Sequence, residues 1–175
     1  MNRPVCVIHV RSLCPAQQDG LLVAGNLRIP CKLGRAGRRA MKREGDGATP
    51  SGLWPMRRIL ARCDSWGWVR SGLPFRFTAP DDGWCDDPAD GNYNRLVKLP
   101  SRRSAEGLKR DDPLYDLVLV LGYNDRPRVR GRGSAIFVHL ARPGFTPTDG
   151  CIALSRRDLT RLLAVLSPRS AIVVG

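Results

Sequence analysis

Cys151 follows His139 by twelve positions, and between them runs "LARPGFTPTDG", a loop rich in turn-forming residues that can fold the chain back on itself. A free thiol is only a few per cent ionised near pH 7, and the thiolate is the nucleophile, so cysteine chemistry needs a base within hydrogen-bond reach. The chain has two histidines, His9 and His139. His139 closes the apolar stretch "GSAIFVHL", a predicted buried strand, and the loop after it can bring Cys151 alongside. Gly150 lets the backbone turn tightly before the cysteine and can aim N–H groups at a developing oxyanion. Taken singly, each residue has a blander reading. A buried cysteine usually packs as a small apolar side chain, and a strand-end histidine is usually structural.

The other five cysteines, Cys6, Cys14, Cys31, Cys63 and Cys85, form no CxxC pair, and neither histidine has zinc-type spacing to them. A structural metal site is not expected. The even count of six permits disulfides without demanding them. The net charge of +13 is large for 175 residues and implies an anionic partner: nucleic acid, a membrane surface or an acidic polymer. No stretch approaches the roughly eighteen apolar residues of a membrane helix. The first twenty residues offer only Val5 to Val10 as an apolar run, too short for the core of an export signal.

The elements that must position Cys151 and His139 read mainly as strands. "VCVIHV" and "GLLVAGNLRIPC" are apolar and broken by turn signals. The basic stretch from Arg28 to Arg43 is punctuated by Gly34 and Gly37 and reads as a loop. "EGDGATPSGLWPM" is an irregular turn entering a strand. From Asp64 to Arg103 short strands alternate with long loops, as around a cleft. "LYDLVLVLGYN" is the clearest buried strand, and "RPRVRGR" is a basic turn. Ser155 and Asp158 make a capping pair, and Leu159, Leu162, Leu163 and Leu166 share one helical face, which predicts one firm helix over about 156–166. "SPRS" ends it before a last strand, "AIVVG". No repeat or linker interrupts the chain, so residues 1–175 are expected to form one mainly β domain with a helix packed on it.

"SAIFVHLARPGFTPTDGCIALSRRDLTRLL" resembles the signature of the L,D-transpeptidase (YkuD-type) catalytic domain family. That family carries a histidine on a strand, a loop, then Ser/Thr-x-Gly-Cys and an aliphatic residue, matched by His139, Thr148, Gly150, Cys151 and Ile152. Upstream, "GDGATPSG" from Gly45 to Gly52 resembles the family's Gly-Asp-Gly-x-Thr-Pro-x-Gly segment, which contains Thr49. "YNRLV" and "YDLVLVLGYN" resemble further family segments, and the matches span roughly Lys42 to Leu163. The chain departs from many members at Asp149, where they have histidine, and at Ala153, where they have arginine. It resembles a divergent proteobacterial branch.

The resemblance implies a mixed β-sandwich and a peptidoglycan L,D-transpeptidase. Cys151 would be the nucleophile and His139 the general base and acid, with the backbone at Gly150 and Asp149 serving the oxyanion. Thr148, Thr49, Arg128, Arg130 and Arg132 would bind substrate, and Arg126 or Arg142 could also replace the missing arginine. The implied partners are donor and acceptor stem peptides, whose carboxylates suit a basic surface. No cofactor and no metal are implied, and carbapenems would acylate the cysteine. The product would be a 1-3 link from L-alanine to diaminopimelate, or a 3-3 link between two diaminopimelates. Asp149 and Ala153 tilt the expectation towards 1-3. The implied location is the periplasm or cell envelope. The alternatives are another cysteine acyl transferase or peptidase on the same fold, and a basic nucleic-acid binder using Arg28–Arg43 and Arg126–Arg132. The sequence shows no zinc finger, aromatic RNA-binding signature or helix-turn-helix.

Overall fold

Short apolar runs cut by glycine and proline make many short strands, and the way these pair decides where Cys151 and His139 end up. The computed structural model of the chain describes residues 5–12 and 14–175. In chain order the strands are β1 (Val5–Arg11), β2 (Asp19–Ala24), β3 (Leu27–Lys32), β4 (Arg38–Arg39), β5 (Thr49–Pro50) and β6 (Gly52–Ala61). An excursion follows, carrying β7 (Phe75–Phe77), β8 (Asp82–Cys85), β9 (Leu96–Lys98) and β10 (Ala105–Gly107). The chain then passes a 3₁₀ turn at Pro113–Tyr115 into β11 (Leu117–Leu121), β12 (Phe137–Leu140) and β13 (Ile152–Leu154). Helix α1 (Arg156–Leu163) and β14 (Leu166–Val174) complete the described elements.

Nine strands form one mixed sheet in the order β11-β12-β13-β3-β2-β1-β14-β6-β7, and β11 also pairs with β6. The sheet therefore closes into a ring of eight strands, with β7 attached outside it. This mainly β architecture agrees with the expected fold class. Side chains of a strand alternate between faces, and here both faces are apolar. One set, including Ile8, Leu22, Ile29, Leu119, Val138 and Ile152, belongs to a single core cluster drawn from all eight ring strands. The alternate set, Leu60, Val118, Val120, Phe137 and Cys151, packs against Leu108, Leu114 and Tyr115 of the excursion. The small antiparallel sheet β10-β8-β9 thus lies over one face of the ring, and Trp84 from β8 meets Phe137 edge-on at 5.1 Å.

Helix α1 forms as its sequence predicts at its start. Ser155 caps it, accepting from the Asp158 amide at 3.1 Å and donating to the Asp158 carboxylate at 2.7 Å. Leu159, Leu162 and Leu163 are buried in the core cluster, each worth about 1.5–3 kcal/mol of hydrophobic burial. The expected end near residue 166 is corrected. The helix stops at Leu163, because Leu166 is already paired with β1 and opens the last strand. "SPRS" is no terminator: it lies within β14, where the Ser167 amide donates to Ser170 Oγ at 2.8 Å and the register against β1 shifts. Two other boundaries move. Part of the expected Arg28–Arg43 loop is strand β3, and the strand expected over "GSAIFVHL" begins only at Phe137. Among the described residues, no helix is long and apolar enough to cross a membrane.

Candidate active site

Strands β12 and β13 run parallel, with Val138 opposite Ile152, His139 opposite Ala153 and Leu140 opposite Leu154. A parallel pair needs a crossover connection, and residues 141–151 supply it. Extending the register by one residue sets Cys151 beside Phe137, whose amide donates to Cys151 Sγ at 3.4 Å. Phe137 and His139 are two residues apart on one strand and so share a face. Cys151 and His139 are therefore diagonal neighbours on one face of the sheet, and both line a cavity of about 370 Å³ between the ring and the small sheet.

The turn that presents Cys151 is held from two directions. Thr148 Oγ1 donates to the Cys151 carbonyl at 2.7 Å and accepts from the Gly150 amide at 3.1 Å. Thr49 Oγ1, from the distant "GDGATPSG" segment, donates to the same carbonyl at 3.4 Å and accepts from the Gly34 amide at 2.8 Å. Gly150 has φ +140°, a conformation that favours glycine. A Cβ there would lie 2.9 Å from the Ala48 carbonyl oxygen and 3.3 Å from Lys42 Nζ. The two sequence motifs thus meet at the Cys151 backbone. Thr49 is wholly buried and outside the cavity lining, so its contact is with the cysteine turn and not with a ligand.

Burial favours the neutral form of both candidate groups. Burial pushes the Cys151 thiol from 9.0 up to about 12, with the Glu106 carboxylate adding to the effect. Burial pulls His139 from 6.5 down to about 4, the hydrogen bond to the Leu140 carbonyl opposing it. That carbonyl can only accept, so Nδ1 carries the proton at 2.7 Å and Nε2 keeps its lone pair. Buried Cys31 is likewise pushed to about 12, by burial and Asp19. What separates Cys151 from it is the cavity, the imidazole beside it and the polar wall around it.

In and behind that wall stand residues whose roles the sequence motifs did not assign. Tyr115 stacks edge-on against His139 at 5.5 Å and donates to Glu106 Oε1 at 2.7 Å. Lys42 is buried beside the cysteine turn and pairs with Asp46 at 2.6 Å. Burial alone would raise the Asp46 carboxyl, but bonds from Lys42 and from the Arg43 and Ala48 amides hold it below the usual carboxylate range. Asn94 uses its whole amide. It accepts from Trp84 Nε1 at 2.9 Å and the Ala135 amide at 3.1 Å, and donates to the carbonyls of Tyr123 and Asn124. Ala135, held at φ +52°, in turn accepts from the Cys151 thiol.

The remaining sequence candidates fall in two places. Asp149 is exposed and turned towards Arg35, with which it forms an ion pair, so its carboxylate is countered beside the thiol. The Gly150 amide is engaged by Thr148, whereas the Asp149 amide makes no hydrogen bond among the described residues. Arg128, Arg130 and Arg132 do not line the cavity. Arg142 does, as does Ala153. The catalytic-domain family YkuD, the L,D-transpeptidase catalytic domain, matches residues 16–174. No curated protein and no solved structure matches the chain.

Proposed function

The chain belongs to the L,D-transpeptidase catalytic domain family, and from that premise we propose that it cross-links peptidoglycan stem peptides through a thioester on Cys151. The observation that carries this reading is the Cys151–His139 neighbourhood on parallel strands facing one cavity. With both groups neutral at rest, attack and proton transfer go together. Cys151 Sγ adds to the donor carbonyl while Nε2 of His139 takes the thiol proton, and the oxyanion faces the Asp149 amide. His139 gives that proton to the departing amine, and the thioester remains. The amine of a second stem then adds to the thioester, His139 moves its proton to the leaving sulfur, and the thiol is restored.

Of the two cations lining the cavity, Lys42 is paired with Asp46, and Arg142, which forms no ion pair among the described residues, is the one placed to meet a stem carboxylate. Arg128, Arg130 and Arg132 supply countercharge farther out. For the bond made, Asp149 and Ala153 beside the nucleophile favour the L-alanine carbonyl as donor, a 1-3 link, over the 3-3 link. The site of action is the cell envelope.

Intact-mass spectrometry with a carbapenem tests the nucleophile: one adduct is expected on wild type, at Cys151, and none on Cys151→Ala. An adduct of equal yield on the variant overturns the assignment. Incubation with purified sacculi, followed by tandem mass spectrometry of the muropeptide dimers, distinguishes 1-3 from 3-3 links. Release of shortened monomers without dimers would make the protein a peptidase.

A further inference from the structure

The cavity has an acidic wall that the acyl-transfer steps above do not use. Glu106 on β10 pairs across the small sheet with Trp84 on β8, and Asp86 lies two residues beyond Trp84 along the same run. Both carboxylates line the cavity that holds Cys151 and His139. Their neighbours leave them acceptor capacity. Glu106 Oε1 receives the Tyr115 hydroxyl at 2.7 Å, while Oε2 has no hydrogen-bond partner among the described residues. Arg110 reaches Oε1 only at 3.9 Å, because its guanidinium is committed to Asp112 through two bonds of 2.8 Å. Asp86 Oδ1 is a buried oxygen without a hydrogen-bond partner among the described residues. A buried acceptor left unpaired costs free energy that a donor entering the cavity would recover.

A carboxylate beside a cysteine nucleophile is counterproductive for the first step. Glu106 raises the thiol's pKa, opposing formation of the thiolate. Its charge becomes useful only once sulfur is acylated and neutral, when the group to be admitted is an amine that arrives as a cation.

We propose that Glu106, with Asp86, forms the acceptor subsite and binds the incoming ammonium group of the second substrate. The proposal rests on the acyl-transfer reading and assigns the chemistry of its second nucleophile. Glu106 accepts from the ammonium through Oε2 while Tyr115 fixes Oε1, and Asp86 Oδ1 supplies a second acceptor. The ammonium loses one proton to solvent, and the neutral amine adds to the thioester carbonyl. Its second departing proton passes through His139 to sulfur, leaving an amide and a free thiol. Water has no such cationic handle, so the acidic wall favours transfer over hydrolysis.

The test compares two nucleophiles on one acyl-enzyme. Wild type, Glu106→Gln and Asp86→Asn are acylated with a disaccharide-tetrapeptide, which offers both the L-alanine and the diaminopimelate carbonyl as donor, then offered propylamine, which is protonated near neutral pH, or hydroxylamine, which is largely uncharged. The ratio of the two products cancels any change in acylation. Glu106→Gln keeps an acceptor for Tyr115 and should lower the propylamine-to-hydroxylamine ratio by roughly 10- to 100-fold, the worth of a charge-assisted hydrogen bond. Asp86→Asn should lower it in the same direction. An unchanged ratio in both variants overturns the proposal and leaves Glu106 as a support for Tyr115. Failure of wild type to form any thioester overturns the acyl-transfer reading itself, and the subsite with it.

Discussion

The Cys151 thiol donates to the Ala135 carbonyl at 3.2 Å, so at rest its proton is held by a backbone oxygen while Nε2 of His139 stays unprotonated. With the thiol near 12 and the imidazole near 4, the resting pair is neutral. Iodoacetamide labelling of Cys151, read by peptide mapping, should be slow at pH 7 and should climb steadily above pH 9. A rate plateau below pH 8 would mean a thiolate–imidazolium pair and contradict this geometry. Cys6, Cys14 and Cys63 are exposed and should label first.

His139 also links stability to pH. Its folded pKa of about 4 lies below the ordinary 6.5, so between these values the unfolded chain binds more protons than the folded one. Stability is therefore fully present above about pH 6.5 and falls as the pH drops towards 4, by up to roughly 3 kcal/mol from this group. Urea unfolding across that window should show the loss in wild type and a flatter limb in His139→Gln. A parallel decline in both proteins would assign the acid sensitivity elsewhere.

Lys42 and Asp46 are buried together under the cysteine turn, with side chains 3% and 9% exposed. Removing one partner strands the other, at a cost of about 3–5 kcal/mol. Asp46→Ala should therefore destabilise strongly, and the double variant Lys42→Met, Asp46→Ala should recover part of the loss. Additive losses in chemical denaturation would show that the pair is not coupled.

Among the basic residues around the loop, Arg142 alone joins Lys42 in lining the cavity, and Lys42 is already paired. Arg142→Ala should raise KM for stem-peptide donors roughly tenfold, as expected for losing a charge-assisted contact. Replacing Arg128, Arg130 and Arg132 together should change KM less and mainly alter its salt dependence. The reverse ranking in steady-state kinetics would move the carboxylate anchor to the outer loop.

Much of this site is local enough to read from residues in order. Gly150 before Cys151, Thr148 before both, and a strand-borne histidine twelve positions earlier are all near neighbours in sequence, and the structure brings them together. Thr49 was legible as part of a motif but not in what it touches, since its bond to the Cys151 carbonyl spans 102 positions. Tyr115 and Glu106 were not legible as cavity residues, because their place depends on how the excursion folds back over the ring. Ala135 gave no signal either. Its left-handed backbone, fixed through Asn94, delays β12 to Phe137, and alanine is not a residue type that announces such a conformation. The helix end was missed for a similar reason: Leu166 satisfies the helical period, but pairing with Val5 claims it for a strand.

The excursion that carries Glu106 and Asp86 leaves the ring at Ala61 and re-enters it at Leu117, and those two residues sit directly opposite each other. Topologically it is an enlarged hairpin loop, inserted where a short turn would close the same two strands. Cys151 and His139, proposed to make and break a thioester, are carried by ring strands and the loop between them, and the acidic wall belongs to the insertion. A descendant or an engineer could therefore exchange the insertion as a cassette and change which nucleophile is admitted, while leaving the Cys151–His139 machinery where it is.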